Sequence, residues 1–236
     1  MGRIIKYDRS VVVACDVETL NELKRLVEQT SDVERIGGYK IGSVLAIRYG
    51  LPRLVQAVRE LTDLPVIYDH QKAMTDIPDL GGSFARAVKG AGADALIGFP
   101  QSGPATQEAW IEACKRAGLE AIIGGEMTHP RYKRSEGGYI ADEALEEIYL
   151  LAAKLGVTNF VVPGNKADRV KRYREVLQPI VGEALAFYAP GLVAQGGRIS
   201  EVARAAGDNW HAIVGRAIYG AKDVRAAAKE AASKLR

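Results

Sequence analysis

Five charged residues occupy positions where the chain otherwise reads apolar. Asp16 ends VVVAC, Lys40 lies inside YKIG, Asp69 ends PVIYD, and Lys72 and Asp76 follow in the same segment, DHQKAMTDIPD. Brought together, they form alternating positive and negative charges whose near balance keeps each ionised in a partly dry site. A lysine there can deliver a proton, and a carboxylate set against an anionic substrate group raises the energy of the ground state. That is proton-transfer chemistry without a metal. Plainer readings stand beside it: Asp16, followed by Val-Glu-Thr, suits a helix N-cap, as do Asp76 and Asp79, and the set as a whole could be a surface salt-bridge network. Lys40 fits them least well. Flanked by Tyr39, Ile41 and Gly42, it must bury its stem and find a negative partner whichever way it points, and it reads as inward and functional.

A second group lies near the C-terminus. AQGGRIS, with Gln195, and VGRAIYGAKD, with Gly215 and Arg216, each place glycines between an apolar run and a helical pattern. Backbone N–H groups in such turns can meet an anion, Arg216 can add a charge-assisted contact and Gln195 an amide donor, which together describe a phosphate site. Glycines that merely make tight turns are the alternative.

The apolar runs that would position these groups are VVVAC at 11–15, YKIG at 39–42, PVIYD at 65–69, DALIG at 94–98, EAIIG at 120–124, NFVVPG at 159–164, ALAFYAPG at 184–191 and HAIVG at 211–215. Amphipathic segments such as TLNELKRLVEQT, TQEAWIEACKRAG and ADRVKRYREVL lie between them, with apolar residues at three- and four-residue spacing. Eight strands each followed by a helix are the pattern of a closed (β/α)8 barrel, predicted here as a single domain over residues 1–236, with a doubly wound open sheet as the runner-up. Both charged groups then fall at the C-terminal ends of strands, the active face of such a barrel. The longer step after the fifth strand, HPRYKRSEGGYIADE, is either a substrate-covering loop or a surface excursion. His70 reads as a turn histidine facing solvent.

Composition narrows the partners. With 32 Lys+Arg against 29 Asp+Glu, spread among one another, there is no basic stripe for nucleic acid and no polybasic membrane patch. No apolar run approaches the roughly 18 residues of a membrane span. Cys15 and Cys114 lack metal-ligand spacing and suit a reducing, cytoplasmic setting, so neither a metal nor a disulfide is expected.

Along nearly its whole length the chain resembles the orotidine 5′-phosphate decarboxylase family, which catalyses the last step of UMP synthesis. The likeness rests on VACD ending at Asp16, YKIG with Lys40, DHQKAMTDIPD, EMTHP at 126–130, APGLVAQGG at 189–197 and, most specifically, VGRAIYGAKD at 214–223. It implies a metal-free, cofactor-free homodimeric barrel acting on orotidine 5′-monophosphate, with two sites at the subunit interface. By that resemblance Asp16 and Lys40 bind ribose hydroxyls, Asp69 faces the orotate carboxylate, and Lys72 protonates C6 once carbon dioxide leaves. Asp76 comes from the neighbouring subunit to hold the ribose and Lys72, Thr128 reads the pyrimidine edge, and Gln195, Gly215 and Arg216 bind the phosphate. One feature departs from the family pattern Asp-x-Lys-x-x-Asp: here each gap is one residue longer, a length that a bulge after the strand can absorb. The related sugar-phosphate branch, 3-keto-gulonate-6-phosphate decarboxylase and hexulose-phosphate synthase, uses magnesium and a strand-two carboxylate. This chain has Lys40 at that position, and a lysine repels a cation. A non-catalytic phosphosugar-binding barrel is the third reading.

Overall fold

A computed structural model describes residues 2–71, 73–192 and 197–235. The chain alternates β1 (Arg9–Ala14), α1 (Leu20–Thr30), β2 (Ile36–Gly42), α2 (Ser43–Tyr49), α3 (Leu51–Arg59), β3 (Val66–Asp69), α4 (Gly81–Gly90), β4 (Ala95–Gly98), α5 (Pro104–Ala117), β5 (Glu120–Gly124) and α6 (Asp142–Lys154). It continues through β6 (Asn159–Val161), α7 (Ala167–Val181), β7 (Ala186–Ala189), α8 (Ile199–Ala206), β8 (Trp210–Val214), α9 (Arg216–Tyr219) and α10 (Val224–Ser233). The eight strands pair in sequence order, all parallel, and β8 closes on β1. All eight strands expected from the sequence are present, and the open-sheet alternative is excluded. The apolar runs could not reveal α2, whose residues Val44 and Ile47 are exposed rather than packed.

Strand alternation splits the apolar residues into two layers. Val12, Ala14, Ile67, Ala95, Ile97, Ile122, Val161 and Ile213 fill the barrel, where Ile5 of the N-terminal segment joins them. Val11, Val13, Tyr39, Ile41, Val66, Tyr68, Ala121, Ile123 and Phe160 face the helices. The helices turn their apolar stripes onto this outer layer, and local signals set their ends: Thr19 and Glu22 form a capping box on α1, and α5 begins with Pro104 and stops at Gly118 in the left-handed region (φ 65°).

His211 of β8 points inward and is 1% exposed, its Nδ1 2.9 Å from Ser10 Oγ and its ring centroid 4.7 Å from that of Tyr188. Burial, aided by the positive charge of Arg3, pushes its pKa down from 6.5 to about 3. The folded protein therefore keeps this imidazole neutral at pH values where the unfolded chain protonates it. The stability it contributes is complete above pH 6.5 and falls as pH drops towards 3, by about 2 kcal/mol at pH 5. Denaturant unfolding at pH 7.5 and pH 5 should show the wild type losing that much more than His211→Asn. Equal losses would mean that folded His211 carries a proton.

Candidate active site

Three adjacent strands place the first charged group. In register, Lys40 lies beside Ala14 of β1 and Ile67 of β3. Asp16 and Asp69 stand two residues beyond those partners, on the same face and about 7 Å nearer the barrel mouth. The lysine stem spans that step, and Nζ sits 2.7 Å from Asp69 Oδ2 and 3.2 Å from Asp16 Oδ1. Tyr39 and Ile41 face the helices, so Lys40 turns inward, as expected. The side chains of Lys40 and Asp69 are 9% and 8% exposed, that of Asp16 50%. Burial alone would depress the lysine pKa, but the attraction of Asp69 and then of Asp16 outweighs it and raises the pKa above the usual lysine value. Lys40 is thus a firmly held cation and a poor proton donor. The capping alternative for Asp16 fails, because Thr19 caps α1. Asp69 Oδ1 is buried with no hydrogen-bond partner among the described residues.

Beyond Asp69 the chain turns sharply. Ala73 N donates to His70 O at 2.7 Å, and buried Met74 takes a positive φ of 68° and packs under Gly98 at the end of β4. Contrary to the sequence reading, His70 does not simply face solvent: its ring lies between Tyr68 and Phe84, with Nδ1 2.8 Å from the Tyr68 hydroxyl. Lys72 lies outside the described residues, as does Gln195. Asp76 is exposed and does not line its own chain's cavity. Its backbone carbonyl accepts from Thr106 Oγ1 at 2.8 Å, and the next carbonyl, that of Ile77, accepts from Trp110 Nε1 at 3.0 Å.

Asp16, Lys40, Asp69, Thr128, Gly215 and Arg216 all line one cavity of ≈ 240 Å³ at the C-terminal mouth, walled by Ile97, Phe99, Val161 and Ile213. Gly215 follows β8 and Arg216 opens α9, exposed at the rim and without an ion pair among the described residues. Glu126, also in the wall, is a buried carboxylate that sequence reasoning left without a role although it lies in EMTHP. Its only signal there is an acid two residues past the end of an apolar strand. The long segment after β5 is no free loop. Tyr132 is buried and its hydroxyl donates to Gly125 O at 3.0 Å, while Lys133 pairs with Ile140 in a short bridge.

A cavity of mixed apolar and charged lining, with a lysine between two carboxylates on one side and an arginine beside a glycine on the other, thus sits at the C-terminal mouth of a (β/α)8 barrel. The model of the Orotidine 5'-phosphate decarboxylase / HUMPS family matches residues 9–231, and the chain belongs to that family. It is similar to orotidine 5'-phosphate decarboxylases of Methanosarcina mazei, 33% identical over 95% of this chain and 94% of that protein, and of Pyrococcus abyssi, 32% identical over 96% and 99%. Among solved structures it resembles orotidine 5'-monophosphate decarboxylase from Methanocaldococcus jannaschii complexed with the inhibitor BMP, with a TM-score of 0.84 at 25% identity over 97% of this chain and 99% of that one.

Proposed function

We propose that this chain decarboxylates orotidine 5′-monophosphate to UMP and carbon dioxide without metal or cofactor. The observation that carries the reading is the Lys40 ammonium between Asp16 and Asp69. The sugar-phosphate branch of the resemblance would need a divalent cation held by carboxylates here, and a buried ammonium already occupies the space between them and repels one. Among the described residues no group of three or more His, Cys, Asp or Glu could hold a metal ion. In the reaction the C6–carboxylate bond breaks, its electron pair stays on C6, and Lys72 supplies the proton that replaces carbon dioxide. Asp69, beside the departing carboxylate, raises the ground-state energy. Asp16 and Lys40 hold the ribose, Thr128 faces the base, and Gly215, Arg216 and Gln195 take the phosphate.

The reading is tested by mixing the protein with orotidine 5′-monophosphate and following loss of the orotate absorbance, with and without exhaustive chelation. Turnover at the same rate in both is the expected result. Activity lost to the chelator and restored by magnesium would support the sugar-phosphate branch, and nucleotide binding without turnover a non-catalytic barrel.

The active form is proposed to be a homodimer with composite sites. Val44 and Ile47 on α2 are 66% and 85% exposed, and they rim a second cleft whose other lining residues include Asp16, Lys40 and Asp69. Ile77 and Leu80, just beyond Asp76, are exposed as well. Apolar side chains around a charged floor are the setting in which a second copy would bury surface and insert its own Asp76. No helix among the described residues is long and apolar enough to cross a membrane, and both cysteines are free and buried, which suits a cytoplasmic enzyme.

A further inference from the structure

Glu126 takes no part in the chemistry above, yet its side chain is 0% exposed. Its Oε1 accepts from Lys166 Nζ at 3.0 Å, and its Oε2 accepts from Arg169 Nε at 2.9 Å and from the Tyr173 hydroxyl in a short bond. Burial works against the charged form, but the bonds from Tyr173, Arg169 and Lys166 overcome it and hold the carboxyl below its usual pKa. With its lone pairs engaged by three donors, this group is no general base. A buried carboxylate is costly unless fully paired, and all three donors belong to the segment from the β6–α7 loop into α7. The charge therefore ties the chain after β5 to the chain after β6.

The same two segments are joined again beside it. Asn165 Nδ2 donates to Thr128 O at 3.0 Å, and Glu126 N donates to the Tyr149 hydroxyl at 3.2 Å, which in turn donates to Val161 O at 2.7 Å. The Tyr149 ring packs on Tyr173 at 4.4 Å between centroids. Lys166 also reaches Glu136 at 3.6 Å, so the long β5–α6 segment is braced on the same cation. We infer that Glu126 is a positioning residue that fixes the Met127–Thr128 edge of the cavity, and so sets affinity for the base of the ligand rather than for its sugar phosphate. This rests on the reading of the cavity as a pyrimidine-nucleotide site with Thr128 at the base.

Calorimetric titration with UMP and with ribose 5-phosphate, the same ligand without its base, separates the two ends. Glu126→Gln should weaken UMP binding about tenfold, the worth of roughly one hydrogen bond, and leave ribose 5-phosphate within about twofold. Tyr173→Phe, a milder change that keeps the packing, should shift UMP about threefold in the same direction and decides the matter if Glu126→Gln does not fold. Equal weakening of both ligands, or unchanged UMP affinity in a folded variant, overturns the assignment while leaving the nucleotide reading intact. Failure of the folded wild type to bind UMP removes the nucleotide reading itself, and the assignment with it.

Discussion

Lys72→Ala is expected to lower kcat for orotidine 5′-monophosphate by on the order of 10⁴, the upper end for loss of a general acid, while the melting temperature stays close to wild type. Asp69 explains the size of the effect. One of its oxygens is held by Lys40, and the other is buried and unpaired among the described residues. In the proposed mechanism that oxygen is served by Lys72, three residues further along the sequence. Without that lysine, C6 loses its proton source and the carboxylates lose a positive charge, so the substrate carboxylate meets more repulsion than the site can offset. Lys40→Ala should behave differently. It removes the one partner that a carboxylate 8% exposed has among the described residues and should destabilise the fold by about 3–5 kcal/mol, with the smaller effect on the proton-transfer step. Full-speed turnover in Lys72→Ala would end the mechanism. A larger loss of proton transfer in a folded Lys40→Ala would show that the lengthened Asp69–Lys72 spacing has passed the role to Lys40, although the raised pKa of Lys40 makes it a weak acid.

Mixing inactive Lys72→Ala with inactive Asp76→Ala protein is expected to regenerate activity. Asp76 stands exposed beyond its own cavity, on a segment fixed by Thr106 and Trp110, with Ile77 and Leu80 bare beside it. If it serves a second copy, one site of each heterodimer combines wild-type Lys72 from one chain with wild-type Asp76 from the other, and the opposite site has neither. Random exchange of equal amounts makes about half of the dimers mixed, so activity should approach about a quarter of the wild-type value for twofold pairing. Subunit exchange is followed separately, by tagging one variant. Verified exchange with no recovery would place the action of Asp76 within its own chain.

The sequence by itself determined the eight strands, their alternation with helices and therefore the closed barrel, because a parallel strand buried on both faces must be a short apolar run. It also marked Asp16 and Asp69 as charges that end apolar runs, and Lys40 as a charge inside a strand that must find a negative partner. Strand phase made the inward direction of Lys40 legible, since Tyr39 and Ile41 are large and apolar and claim the helix-facing side. The two-residue offset that lifts both carboxylates to the height of the lysine nitrogen was decided by register between strands, which local sequence does not encode. Tertiary packing alone drew His70 between Tyr68 and Phe84, because Phe84 lies on a helix fourteen residues away. It also gave Glu126 its meaning: the acid follows β5, but its donors arrive 40 to 47 residues later, on the far side of a strand and a helix.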